Sequence, residues 1–381
     1  MDTITHALLG ALTAQLGFRQ KIGRSATWVA AVAAMVPDLD ILLAPLLTMT
    51  GAEVGGTNHL TGHRGLTHSL LAVPILALPI TIAWWVYKRR AAQREVLAPP
   101  RIDPSTHPEV AQIRQAMPVR TSPPPFLLLF ACVLLAVLTH PLLDWCTPYG
   151  TELFAPITDH RYAFNCVPII DIIFTPLLIL ALLLCWVFRK LGPDDTPRAT
   201  TILGWAGFLL AVGYLGAGRY LHDRAVDRAV ALAGPARVVR ADAYPAMGSI
   251  FLWRAVVETK DSWLAYRLHS FAPPDAKPRS TSATKVSNEW IDRAKELPQV
   301  QEYLWFTNGW GRAGFLRKGG MNVVEFDDMR YGDPLEGTQS SWPMRVLMDS
   351  SGNVVQVAHE HHAHGDLRKR VTQMWSEIWN P

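Results

Sequence analysis

Four short stretches of this chain carry side chains able to do chemistry: "DTITH" at 2–6, "PDLD" at 37–40, "HRGLTH" at 63–68 and "HPLLD" at 140–144. Together they supply Asp2, Asp38, Asp40 and Asp144 with His6, His63, His68 and His140, and Arg64 sits among them. Asp2 with His6, and His140 with Asp144, are spaced i,i+4, so each pair shares one helical face. Asp38 and Asp40 cannot both point from one regular helical face, though a helix end or break there would let them. Pro37 and Pro141 can loosen the backbone and free carbonyls near the site. His63 is expected from a loop and His68 from the first turn after it. Imidazole nitrogens mixed with carboxylate oxygens suit Zn²⁺, or alternatively Mn²⁺ or Fe²⁺, better than a thiolate structural site would. His6, Asp38, Asp40, His63, His68, His140 and Asp144 are therefore the candidate metal ligands. The set exceeds one tetrahedral site, which implies either two ions or one ion with residues orienting its ligands. Arg64 is a candidate for holding phosphate or carboxylate oxygens. Asp40 or Asp144 is the candidate general base for a metal-activated water.

These groups must be positioned by unusually apolar elements. Hydrophobic residues make up 49% of the 381 and charged residues only 18%, against about 25% in soluble globular proteins. Six apolar segments stand out, at 4–18, 25–47, 66–87, 126–147, 168–188 and 201–219. All but the first meet or approach the roughly 20 residues needed to cross a bilayer. The first could be a tilted span, a re-entrant helix or a surface helix. Alternate loops hold thirteen Lys and Arg residues, whereas the opposite loops, 48–65 and 148–167, hold only Arg64 and Arg161. By the positive-inside rule the N-terminus and the C-terminal part lie outside and the 88–125 loop is cytoplasmic. All four polar stretches then reach the same, outer, face of the bundle. Acidic and imidazole groups at that depth are costly and mark a functional site by default. Asp2 stands where a signal peptide needs a basic region, so the first segment is expected to be retained.

The loop at 88–125 is rich in proline and charge and is expected to be extended, with His107 incidental to function. Past residue 220 the pattern changes. "LHDRAVDRAVALAG" continues the last apolar segment as a helix ending at Gly234. "SIFLWRAVVET" and "SWLAYRLHSF" read as strands, the region 286–306 as helical, and "MNVVEFDDMRYG" and "MRVLMDSSGNVVQVAHE" as strands, the latter a hairpin turning at 351–353. The expected fold class is a mainly α membrane protein. Residues 1–220 form a bundle of five to six transmembrane helices, and residues 221–381 a small α+β extramembrane domain. "HEHHAH" at 359–364 resembles a metal tract but reads better as a solvated strand end. Cys132 and Cys185 read as small apolar packing residues; Cys146 and Cys166 leave a disulfide or an extra ligand open. A net charge of +4 with no basic stripe gives no support for nucleic-acid binding.

The stretches "DTITHALLG", "PDLD", "HRGLTHS" and "HPLLDWCTPYG" resemble the motifs of the YdjM/YbcI-type membrane-bound metal-dependent hydrolases, also described as LexA-binding, inner-membrane-associated hydrolases. The resemblance covers roughly the first 220 residues, more weakly extended by 235–381. It implies a bacterial inner-membrane protein with a divalent metal and a hydrolytic activity, and at matching positions it points to the seven candidate ligands above. It supplies no substrate. A site at the periplasmic membrane edge would meet membrane lipids or lipid-linked intermediates, and Arg64 points to a phosphoester bond. The rival readings are a metal transporter or sensor, and a structural membrane protein stapled by a metal.

Overall fold

The computed structural model describes residues 1–41, 63–97, 123–191, 196–273, 275–332, 340–359, 372 and 375–379. Residues 42–47 of the second apolar segment, most of the proline-rich loop with His107, and 360–364 of the histidine tract lie outside the described residues.

Asp2 opens the first helix, α1 (Thr3–Gln15), by accepting from the Thr5 N–H at 3.0 Å and the Thr5 hydroxyl at 2.6 Å, satisfying one of the donors every helix start leaves orphaned. A short α2 (Phe18–Ile22) turns the chain into α3 (Ser25–Ala33). Here α3 stops, and Val36–Leu39 form a single 3₁₀ turn around Pro37. A second such turn, Leu66–His68, precedes α4 (Ala72–Leu97), α5 (Phe126–Trp145), α6 (Phe174–Leu191) and α7 (Thr196–Ala233).

Three of these helices are long and apolar enough to cross a membrane: Phe126–Trp145, Phe174–Leu191 and Pro197–Ala233. The first apolar segment forms a 13-residue helix, about 20 Å long, short of the ~30 Å hydrocarbon core. The second is interrupted because the proline and the two carboxylates beside it end the regular hydrogen-bond ladder. Helix α4 has the length, but Lys88, Arg89 and Arg90 lie within it.

Small residues let the helices approach closely. A side chain added at Gly10 would meet Ala34 Cβ at 2.5 Å and the Ala30 carbonyl oxygen at 2.6 Å, so α1 lies directly on α3. At Gly218 the obstruction would be the Cys166 carbonyl oxygen at 2.1 Å, which fixes α7 against the loop after α5.

Helix α7 has 38 residues, about 57 Å, so it outruns the bilayer and passes position 220 without a break. Its last turns carry the first sheet, an antiparallel meander of β1 (Val238–Pro245), β2 (Leu252–Thr259), β3 (Ser262–His269) and β4 (Arg279–Thr284). Leu221, Ala225 and Ala229 of the helix pack with Trp253, Ala255 and Leu268 of the sheet. After α8 (Glu289–Lys295) and α9 (Pro298–Phe306) comes a second meander, β5 (Gly311–Lys318), β6 (Met321–Asp328), β7 (Met344–Met348) and β8 (Val354–His359). Its inner face buries Val324, Phe326 and Val346 against Ile291, Val300 and Tyr303 of the two helices. The C-terminal part is a two-sheet β domain with two short helices between the sheets. Strands β1, β4 and β5, absent from the sequence reading, are all sheet edges. An edge strand buries less, so its apolar alternation is weak; β4, "RSTSAT", has almost none.

Candidate metal centre

Four separate pieces of chain meet at the C-terminal end of α5. Helix α1 contributes His6, the first 3₁₀ turn Asp38 and Asp40, the second turn with its preceding residues His63, Arg64 and His68, and α5 itself His140 and Asp144. The side chains of His6, His68, His140 and Asp144 are wholly buried, while Asp38, Asp40 and His63 keep 10%, 15% and 17% exposure.

The ring nitrogens are sorted by their outer partners. His140 Nδ1–H donates to the Ala34 carbonyl at 2.6 Å, a group left free where α3 ends. His63 Nδ1–H donates to Asp40 Oδ1 at 3.1 Å. The Thr67 hydroxyl donates to Asp40 Oδ2 at 3.1 Å and lies 3.0 Å from His68 Nδ1, which therefore donates to it. In the neutral ring, each of the three imidazoles thus has its proton on Nδ1 and turns an Nε2 lone pair inward. There His140 Nε2 lies 3.3 Å from both Asp38 Oδ1 and Asp144 Oδ2, His68 Nε2 3.5 Å from Asp38 Oδ1 and 3.6 Å from Asp144 Oδ2, and His63 Nε2 3.9 Å from Asp38 Oδ1. His68 Nε2, His140 Nε2 and Asp144 Oδ2 are buried without a hydrogen-bond partner. Buried lone pairs facing carboxylate oxygens repel one another unless a cation or a proton lies between them.

Two groups of donors could hold such an ion: Asp38, His68, His140 and Asp144, and Asp40, His63 and His68, with donor atoms all within 4.8 Å of one another in each. The first group is a two-nitrogen, two-oxygen set that fits a tetrahedral divalent ion. In the second, Asp40 is already engaged as the partner that orients His63, in the manner of a carboxylate behind a metal-binding histidine.

His6 stacks on His140 with ring centroids 3.7 Å apart, and its Nε2 lies 3.2 Å from Asp144 Oδ1. Arg64, at φ +67°, turns toward Asp144: Nη2 lies 2.9 Å from Oδ1, while Nη1 donates to the Thr147 hydroxyl at 2.7 Å. The Met1 amine also contacts Asp144 Oδ1. Asp2 stays outside the cluster as the α1 cap. Cys146 and Cys166 are both free thiols, their backbones joined by Cys166 N–H to the Cys146 carbonyl at 2.9 Å.

Sequence reasoning missed the groups that hold the site from outside. The Thr3 hydroxyl donates to Asp38 Oδ2 at 2.7 Å, and Thr67 ties Asp40 to His68. Arg161, fully buried, donates from Nη2 to the His63 carbonyl at 3.0 Å and the Gly150 carbonyl at 3.1 Å. Burial lowers its pKa to about 10, although Tyr149 and Glu152 pull the other way. Burial likewise raises Glu152, against the opposing charge of Arg161. Arg161 had one visible signal, as a lone basic residue in a loop otherwise without them.

The helices and the cluster define a membrane protein with a buried Asp/His site that could bind a metal ion. The family described as YdjM inner membrane protein matches residues 1–225. The chain belongs to this family, and every donor of the cluster lies within the matched region. No curated protein and no solved structure matches it.

Proposed function

We propose that this protein is a membrane-bound, metal-dependent hydrolase acting at the outer edge of the inner membrane on a phosphoester or other bond of a lipid or lipid-linked substrate. The observation that carries the reading is the inward-facing set of His68 Nε2, His140 Nε2 and Asp144 Oδ2, buried with no partner. Asp38, His68, His140 and Asp144 would hold a divalent ion, Zn²⁺ before Mn²⁺ or Fe²⁺ on the nature of the donors. His63 and His6 stand beside these four residues.

When bound, such an ion supplies Lewis acidity, polarising the bond under attack and acidifying a water. Asp144 is enclosed by Arg64 and the Met1 amine, so its role is to hold charge in place. Asp40 is partly exposed and linked to two imidazoles, and it takes the proton from the attacking water. Arg64 steadies Asp144, with its buried Nε, which has no hydrogen-bond partner, turned to a substrate oxygen. In this reading α1, α3 and α4 enter the bilayer beside the three long helices, giving five to six membrane-embedded segments, and the α+β domain is periplasmic. A transporter would hold its ligands near the midplane, reachable from both sides, whereas here they gather at one end of α5.

Metal content of the purified protein, measured for wild type, His68→Ala and Asp144→Ala, tests the reading. One ion per chain in the wild type and loss in both variants is expected; unchanged stoichiometry in both ends it. Release of product from phospholipid or lipid-pyrophosphate vesicles, abolished by chelator and restored by Zn²⁺, separates an enzyme from a metal-stapled structural protein.

A further inference from the structure

We infer that the site opens sideways into the outer leaflet, between the turns Val36–Leu39 and Leu66–His68, so that its substrate is a bilayer lipid whose scissile bond lies at the hydrocarbon edge. This deepens the hydrolase reading and rests on it for the chemistry, though not for the route of entry.

The aqueous side is closed in two layers. The loop after α5 lies over the second turn, with Glu152 N–H donating to the Arg64 carbonyl at 3.1 Å, Leu70 N–H to the Leu153 carbonyl at 2.9 Å, and Arg161 to the His63 carbonyl at 3.0 Å. Over that loop sits the soluble domain. Arg330 pairs with Asp328 at 2.7 Å, donates to the Phe306 carbonyl at 2.7 Å and reaches back to the Pro148 carbonyl at 3.1 Å. Asn308 donates to the Arg161 carbonyl at 3.2 Å, and Phe306 packs edge-on against Tyr149 at 5.1 Å. Tyr149 is itself enclosed by the Arg64 and Arg161 guanidiniums at 4.8 and 5.1 Å. The bundle closes the opposite side, where His6, His68, His140 and Asp144 have no exposure.

What stays accessible is the edge carrying Asp38, Asp40 and His63. The residues interleaved with them point outward and are apolar: Leu39 is 47% exposed and Leu66 59%, with Met35, Ile41 and Leu71 beside them in the chain and also exposed. A mouth facing water would display a contiguous apolar rim at a penalty; one facing acyl chains would not. Asp144 is one residue from the end of the spanning helix α5, so the donors sit where hydrocarbon gives way to headgroups. That is the depth of the ester and phosphate bonds of a phospholipid.

The test uses the full chain in phosphatidylglycerol-containing proteoliposomes. Leu39→Cys, Leu66→Cys and, on the exposed hairpin of the soluble domain, Ser351→Cys each receive a nitroxide label; the four native cysteines are buried. Labels at 39 and 66 are expected to relax severalfold more with oxygen, which partitions into lipid, than with a water-soluble nickel chelate, and the label at 351 the reverse. Equal nickel access at all three positions overturns the lateral mouth. A phosphatidylglycerol probe with a photoreactive group next to its phosphate is expected to crosslink within 35–41 and 63–71, and a water-soluble glycerophosphate probe not. Crosslinking by the soluble probe alone also overturns it. Both measurements read the route without turnover, so absent metal or absent hydrolysis would sink the enzyme reading while leaving the mouth to be judged separately.

Discussion

His140 shows at a single residue how the site is prepared. Its Nδ1 proton goes to the Ala34 carbonyl, so in the neutral ring its other nitrogen is an acceptor, and it faces two carboxylates. Asp40 does the same for His63 from the side chain. Asp40→Asn is therefore expected to keep the ion but to weaken its affinity by about 10–100-fold, the usual effect of losing an orienting carboxylate. His140→Ala should abolish stoichiometric binding. Equilibrium titration with Zn²⁺ distinguishes the two, and equal losses would place Asp40 on the metal itself. Arg64 has the opposite job, as the cation beside Asp144. Arg64→Ala leaves a buried carboxylate short of a partner, which costs about 3–5 kcal/mol in such settings. The metal-free protein should melt markedly lower, and excess Zn²⁺ should recover much of the loss. A Tm unmoved by the substitution would mean that Asp144 does not depend on Arg64 for its charge balance.

At the scale of elements, the site depends on how closely α1 lies on α3, because His6 and the Ala34 carbonyl are carried by those two helices. Gly10 sits one turn beyond His6, with no room for even a methyl group. Gly10→Ala is expected to cost about 1–3 kcal/mol by overpacking and to lower metal affinity by shifting α1. Gly213→Ala, in α7 with open space around its Cα, should be neutral or stabilising by up to ~1 kcal/mol through helix propensity. Thermal unfolding of both in one detergent provides the comparison; equal behaviour would remove the close crossing as the reason for glycine at position 10. The two 3₁₀ turns are the other structural device. Each sets an exposed leucine, Leu39 or Leu66, beside polar residues of the cluster, Asp38 and Asp40 or His68.

Across the whole molecule, helix α7 runs from the bundle into the two-sheet domain, and Arg330 ties that domain to the loop above the candidate ligands. Asp328 and the other groups around Arg330 raise its pKa despite burial, so the lock stays charged over the working range. Arg330→Ala should loosen the roof without touching a ligand. Equilibrium metal content should stay at the wild-type value. Release to a water-soluble chelator should quicken about tenfold, the kinetic equivalent of ~1.4 kcal/mol of lost closure. Unchanged release would show that the roof contributes nothing to retention. The matched family region ends at residue 225, so this roof is built by chain beyond it.

The cluster was legible in the sequence. His6, Asp38, Asp40, His63, His68, His140 and Asp144 stood out as polar residues in apolar surroundings, and the structure gathers them. The mid-sheet strands announced themselves by their apolar residues, and the edge strand β8 by the turn at 351–353 that pairs it with β7, both properties of neighbouring residues. Three matters were decided only in three dimensions. Arg64 turned toward Asp144, eighty positions away; Asp40 became a support for His63 and His68; and Arg330 closed the roof through Pro148, 182 positions distant. Local pattern records which face of an element is apolar, but the partner of a buried charge is chosen by packing between elements remote in the chain. Hydrogen-bond direction, which here selects the metal-facing nitrogen of each imidazole, exists only once that packing is complete.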